Sequence, residues 1–409
     1  MPKPDLPLTS SDETPRAPMA LLVALMVTSQ MAITIFLPSL PSMAGDLGTS
    51  QALVQMTVSA YLGAFALAQL VVGPISDAIG RRKPLITGLI LFTLGSIACA
   101  AAPTINILIG ARIVQAIGGC ACLVIARAIV RDTTDGPAAT RAMAYLGMSL
   151  AVAPMLAPLL GGQLETRFGW QYSFLFTAFL GGASLAATVL TYKETLPPQA
   201  RRYTSTGALL ATYARLFGMG KFMGYSLNTA AMGAAFQAFL AGGSISLIVI
   251  LGVSPEQLGY FIMAVPIGYI VGNYISSRMS LRASRRRMIW IGGVLALAGT
   301  VALVLLPLSG FDSPFALILP LFFYSVGSGF VVPNSLAGAL TAVEPAAAGS
   351  AAALGGFVQM GAGFVSTVIM ASLIQTSFLQ VGLVMFGCTF LSLLFFLVLV
   401  VPQPRASTD

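Results

Sequence analysis

Residues 73–83 read GPISDAIGRRK, a short charged stretch set between two long apolar ones. Gly73 and Asp77 stand at i and i+4, so on a helix they share a face. Gly73 carries no β-carbon and admits the close approach of another backbone. Asp77 falls where the apolar run stops; Gly80 then breaks the helix, and Arg81, Arg82 and Lys83 follow at once. A carboxylate at the end of an apolar helix, four residues from an arginine, suggests a latch. The plainer reading of the same loop is a cluster of positive charge that sets membrane orientation.

Composition extends this reading to the whole chain. Of 409 residues, 57% are hydrophobic and 8% are charged, with a mean hydropathy of +0.89. Soluble domains carry roughly 25% charged residues, so this is a polytopic membrane protein whose first partner is the lipid bilayer. The net charge of +8 is spread over short loops and is no nucleic-acid footprint. Cys99, Cys120, Cys122 and Cys388 lie inside apolar runs without metal-ligand spacing and serve as small packing groups. The chain has no histidine, hence no histidine relay. No phosphate-binding loop and no paired carboxylates are present, which argues against an enzyme or an ATP-driven pump, and no cofactor or metal is expected.

Twelve apolar segments approach the ~20 residues that span hydrocarbon. They fall near 18–40, 52–76, 84–102, 105–130, 142–164, 171–192, 222–250, 257–279, 288–308, 314–341, 347–373 and 378–401. Basic residues crowd alternate gaps, whereas the other gaps hold only Arg167; this asymmetry places both termini in the cytoplasm. The expected plan is a cytoplasmic tail (1–17), a six-helix bundle (18–192), a basic linker (193–221), a second six-helix bundle (222–401) and a short tail (402–409). The halves echo each other weakly, as in transporters built from repeats around a central cavity.

The loop at 73–83 resembles the G-x3-D-x2-G-R-[RK] signature of the major facilitator superfamily. The likeness extends through LPSLP (37–41), RAIVRD (127–132), APMLAPLLGG (153–162), Gly169–Trp170, ETLP (194–197), Pro333–Asn334 and AGSAAALG (348–355). Together these resemble the Bcr/CflA group of drug-efflux transporters over essentially the whole chain. The resemblance implies an all-α fold of twelve transmembrane helices in two bundles, a monomer, a bacterial inner membrane and proton antiport. It also implies that Asp77 faces the start of the eleventh helix and that Arg81 reaches Asp132 at the end of the fourth, forming a conformational latch.

Candidate site residues follow. Arg112 stands well inside the fourth helix, where an arginine in hydrocarbon costs at least about 2.5–3.5 kcal/mol. Either it bonds carbonyls of the first helix or it faces a cavity and binds polar or anionic substrate groups; Gln115 shares its face. On the fifth helix Gly147, Pro154, Pro158, Gly161 and Gly162 make a stripe of small residues and prolines suited to close packing. The resemblance makes it an exporter motif, with Ala157 where a glycine is common. On the first helix Gln30, Thr34 and Pro38 share a face. Where the Bcr/CflA group typically has an aspartate three residues before LPxLP, this chain has Thr34, and no acidic residue lies mid-span. A cavity with arginine and without carboxylate is electropositive. The second half offers Asn228, Gln237, Tyr269 and Asn334 as polar groups in a mostly apolar cavity.

These features predict a secondary exporter of small neutral, zwitterionic or anionic drug-like molecules, such as phenicols, with protons as the coupling ion. The alternative is an exporter of an amino acid or organic acid that is not coupled by proton antiport.

Overall fold

The computed structural model describes residues 17–402, apart from 135, 202, 204, 281, 345, 346, 374 and 375. The expected tails, save Ala17 and Pro402, lie outside the described residues. Twelve helices are long and apolar enough to cross a membrane. In chain order they are α1 (Met19–Asp46), α2 (Gln51–Ile79), α3 (Arg82–Ala100), α4 (Ile105–Thr133), α5 (Gly136–Phe168) and α6 (Gln171–Thr191). The second set is α7 (Gly220–Ile250), α8 (Pro255–Met279), α9 (Arg285–Leu308), α10 (Pro314–Thr341), α11 (Ala348–Ser372) and α12 (Leu379–Val400). A further helix, Thr206–Gly218, lies in the linker.

Local chemistry sets the ends. The hydroxyls of Ser50, Ser205, Ser254, Ser284 and Ser313 each accept an otherwise unpaired backbone N–H in the first turn of the helix that follows. Pro255 and Pro314 occupy first helical positions, where a missing N–H costs nothing. The first span runs farther than its expected end at 40. Pro38 breaks the α-helix, and the chain makes a 3-10 turn at Leu37–Ser39. It then re-enters helix at Leu40–Asp46, with Pro41 in the first turn. The fifth helix begins at Gly136, earlier than expected.

Burial sorts the helices into two shells. The most apolar windows of α1, α4 and α7 are 72% buried and that of α10 is 67%, against 28–39% for the other eight. The four inner helices therefore face protein and the eight outer ones also face lipid. The two halves repeat one packing scheme. In the first, a β-carbon on Gly118 of α4 would lie 2.3 Å from the Gly88 carbonyl of α3. In the second, a β-carbon on Gly327 of α10 would lie 2.4 Å from the Gly292 carbonyl of α9. Only glycine allows backbones to approach so closely.

The halves meet along two seams. At one, α2 lies against α11: the Ser59 hydroxyl donates to Thr367 Oγ1 at 2.8 Å, Phe364 covers Gly63, and Gln69 lies on Gly356. At the other, α5 meets α8 at the end remote from the basic loops. There Leu159 fits against Gly259, and Gly162 against the Pro255 carbonyl. Gly147 has no atom within 4 Å of its β-position, and Tyr145 and Met148 are exposed. Oxidation of a Ser59→Cys/Thr367→Cys double variant should therefore join the halves covalently, read as a change in gel migration after cleavage of the linker, and should stop transport until reduced.

Candidate functional site

The basic end carries a charge cluster built on Arg81. Its Nε donates to Asp132 Oδ2 at 2.7 Å, its Nη1 donates to Ser76 Oγ at 2.7 Å, and the same Nη1 pairs with Asp77 Oδ1. One guanidinium thus ties the end of α2 to the end of α4. Burial alone would lower its pKa, but the hydrogen bond and charge of Asp132, with Asp77 behind it, hold it above the ordinary value. Asp77 is 43% exposed and shares a pocket of about 230 Å³ with Ser350 of α11 and with Thr212 and Arg215 of the linker helix. The geometry expected for the Arg81–Asp132 pair is present. Gly73 is only loosely covered, with Val124 3.9 Å from its β-position.

Glu194 completes the cluster in a way the sequence reading did not assign. Its carboxylate accepts backbone N–H groups of Arg81 (2.9 Å), Arg82 (3.1 Å), Thr195 (3.1 Å) and Leu196 (3.0 Å). Two of these are free donors at the start of α3, where the helix dipole also favours an anion. Burial opposes the charge, yet the four backbone donors hold the carboxyl below its ordinary value of 4.5. Gly80 is required beside it: its φ is +98°, and a β-carbon there would lie 2.4 Å from Glu194 Oε2. The signal available in the sequence was ETLP directly after the sixth span. The linker helix is tied to the same region, its Tyr213 hydroxyl donating to the Leu70 carbonyl of α2 at 3.0 Å. Burial pushes that phenol up to about 12, so it stays protonated.

Arg112 sits elsewhere, fully buried within the first bundle. Its Nη1 donates to the Ala32 carbonyl of α1 at 2.9 Å and to Gln115 Oε1, and its guanidinium carbon lies 4.2 Å from the Tyr61 ring centre and 4.4 Å from that of Phe36. Gln115 is also fully buried and passes the network on to Ser96 and Thr177. Of the two roles expected for Arg112, this geometry is that of the carbonyl-bonded one. Carbonyl, amide and π faces offset part of the cost of burying the charge, while Nε and Nη2 are buried without a hydrogen-bond partner among the described residues.

Asn228 is likewise an internal tie. Its Nδ2 donates to the Ser392 carbonyl of α12 at 2.8 Å, and its Oδ1 accepts from Ser335 of α10 at 2.7 Å. Asn334 is half-buried and joins α10 to α8 through Ser276 Oγ at 2.8 Å. Gln30 and Tyr269 are half-buried. Thr34 and Gln237 are buried, and Thr34 Oγ1 and Gln237 Oε1 have no hydrogen-bond partner among the described residues. On α5, Gly161 lies against the Ile35 carbonyl of α1 and Gly162 meets α8, whereas Gly147 stands open. Pro158 is buried and Pro154 half-buried.

Arg112 is not the only arginine inside a span. Helix α4 runs on to Thr133, so Arg127 lies inside it, one turn before Arg131. Arg127 is solvent-accessible yet enclosed by protein on nearly every side, the combination of a cavity-lining group. Arg131, one turn on and on the same face, brings Nη1 within 3.5 Å of the β-position of Gly349 on α11. The face that carries Arg127 is therefore turned toward the other half. Among the described residues no acidic side chain lies mid-span.

Comparison with known proteins agrees with this architecture. Residues 22–367 match the Major Facilitator Superfamily, and the chain belongs to that superfamily. A Bacillus subtilis relative named as an uncharacterised transporter of this type is 33% identical over 90% of this chain and 91% of its own. Multidrug resistance protein D of Escherichia coli is 31% identical over 89% and 91%. A bicyclomycin resistance protein homologue of Haemophilus influenzae is 26% identical over 88% and 90%. These relatives agree with the resemblance to the Bcr/CflA group. A crystal structure of a D-xylose–proton symporter superposes with a TM-score of 0.76 at 13% identity, over 92% of this chain and 97% of that one, and shows the shared fold.

Two outcomes follow. Arg112→Ala should act first as a folding defect, lowering the melting temperature in detergent, because it empties a fully buried site and strands the Ala32 carbonyl. Because the folded pKa of Glu194 is depressed, its stabilisation is complete above the unfolded value and is lost as pH falls below about 4.5. Glu194→Gln should therefore melt lower than wild type at pH 7, and the gap should narrow as the pH is taken progressively below 4.5.

Proposed function

We propose that the chain exports small drug-like molecules, neutral, zwitterionic or anionic, across a bacterial inner membrane by alternating access. Both termini lie in the cytoplasm in this reading, the working unit is a monomer, and a proton gradient drives export. The observation that carries it is the charge of the space between the halves. Arg127 is accessible there, and no described carboxylate stands mid-span to neutralise it. Lipophilic cations are disfavoured in such a space, while neutral and anionic molecules are not. The multidrug-resistance and bicyclomycin-resistance names of the relatives support drug export.

The seams support the mechanism. α5 and α8 are in contact at the far end, and the Arg81 cluster binds helix ends of the first half at the basic side. Asp77 and Asp132 at that rim are candidates for sensing a proton where the first helix carries Thr34. A second reading, export of an organic acid made by metabolism, is favoured by the same arginine.

Expression in a pump-deficient bacterium should raise tolerance to phenicols more than to cationic dyes. The reverse ranking would contradict the electropositive reading. In proteoliposomes, efflux of a transported compound should respond to an imposed pH gradient; indifference to the gradient would remove proton antiport.

A further inference from the structure

Arg127 differs from the other interior arginine in having nothing to hold. Arg112 donates to a carbonyl and an amide and stacks on aromatic rings. Arg127 makes no hydrogen bond, ion pair or ring contact among the described residues, although it lies inside α4 and is enclosed by protein. The carboxylates at the basic end are engaged or distant. Asp77 and Asp132 are held by Arg81, Glu194 by four backbone N–H groups, and Glu344 is exposed beyond the end of α10. Solvent reaches Arg127, but among the described residues no counter-charge does. A carboxylate would supply one, because a planar guanidinium binds it through two parallel charge-assisted hydrogen bonds.

Position fits the same role. Arg127 and Arg131 occupy one face of α4, and Arg131 reaches the start of α11 across the space between the halves. Arg131 is at the rim, two residues from the end of the helix, while Arg127 lies a turn deeper. A negative ligand approaching from the basic end would meet Arg131 first and Arg127 second. Among the described residues no acidic side chain lies mid-span, so a ligand with an apolar body and one negative group suits the position.

We propose that Arg127 is the specificity-determining residue of the cavity, binding the carboxylate of an apolar organic monoanion. This rests on the reading of the chain as an exporter only for where the ligand goes afterwards; binding itself can be tested without transport.

The test is equilibrium dialysis of radiolabelled nalidixate, an aromatic carboxylate, against the purified full-length chain in detergent, with chloramphenicol as the neutral counterpart. Saturable binding of nalidixate is expected to weaken at least about tenfold in Arg127→Gln, the loss of a bidentate charged pair. Arg127→Lys, which keeps the charge and loses the fork, should fall between the two. Chloramphenicol binding should change less than about twofold, since a neutral ligand makes no such pair. A matched melting temperature would show that the variants are folded.

No saturable nalidixate binding to wild type would overturn the proposal. So would equal loss of both compounds in Arg127→Gln, or unchanged nalidixate affinity in that variant. If nalidixate binds through Arg127 but neither compound moves in proteoliposomes, the anion site stands and the exporter reading falls.

Discussion

A charge does not stay in hydrocarbon without a partner, and that cost organises this protein. Among the described residues it leaves charged side chains near the ends of the spans, with Arg112 and Arg127 of α4 set farther in. One exception, Arg112, is wrapped in aromatic rings, a carbonyl and an amide, and becomes part of the first bundle's frame. The other, Arg127, stays enclosed by protein yet accessible to solvent. Both arginines stand on one helix with the same intrinsic chemistry. What separates them is the company each keeps.

The same cost explains the elaborate chemistry at the basic end. Arg81 binds Asp77 and Asp132, and Glu194 takes up the free backbone donors that open α3. Helix ends carry unpaired backbone groups by their geometry. Here the carboxylates and guanidinium that satisfy them also fasten three segments far apart in sequence. All of these groups belong to the first half or to the segment directly after its sixth span. The tight seams elsewhere rely on missing side chains. Gly118 with Gly88, and Gly327 with Gly292, let backbones touch without any polar lock.

Much of the plan was legible in residue order. Twelve apolar runs, their near-equal lengths and the alternation of basic loops lead to two six-helix bundles, because span length and charge position are one-dimensional constraints. The Arg81–Asp132 pair was reachable through the loop signature. Other features were not. The first span was expected to end near residue 40, where its apolar run was read to stop; the helix resumes because each proline takes a position early in a new turn. Asn228 looked like a cavity amide and proves to be a tie to Ser392 and Ser335, partners 164 and 107 residues away.

The division between the two sources is therefore physical. The sequence by itself determined that the chain lives in a membrane, how many times it crosses, where its charges gather, and that no histidine or mid-span acid is available for proton transfer. Those follow from transfer free energies that each segment obeys independently. Only the tertiary structure decided that Arg112 is sealed while Arg127 is open, that Glu194 caps a distant helix, and that α5 meets α8 at Gly162 and Gly259. A polar side chain's role depends on which groups lie within about 3 Å of it, and that neighbourhood exists only once all twelve helices have packed.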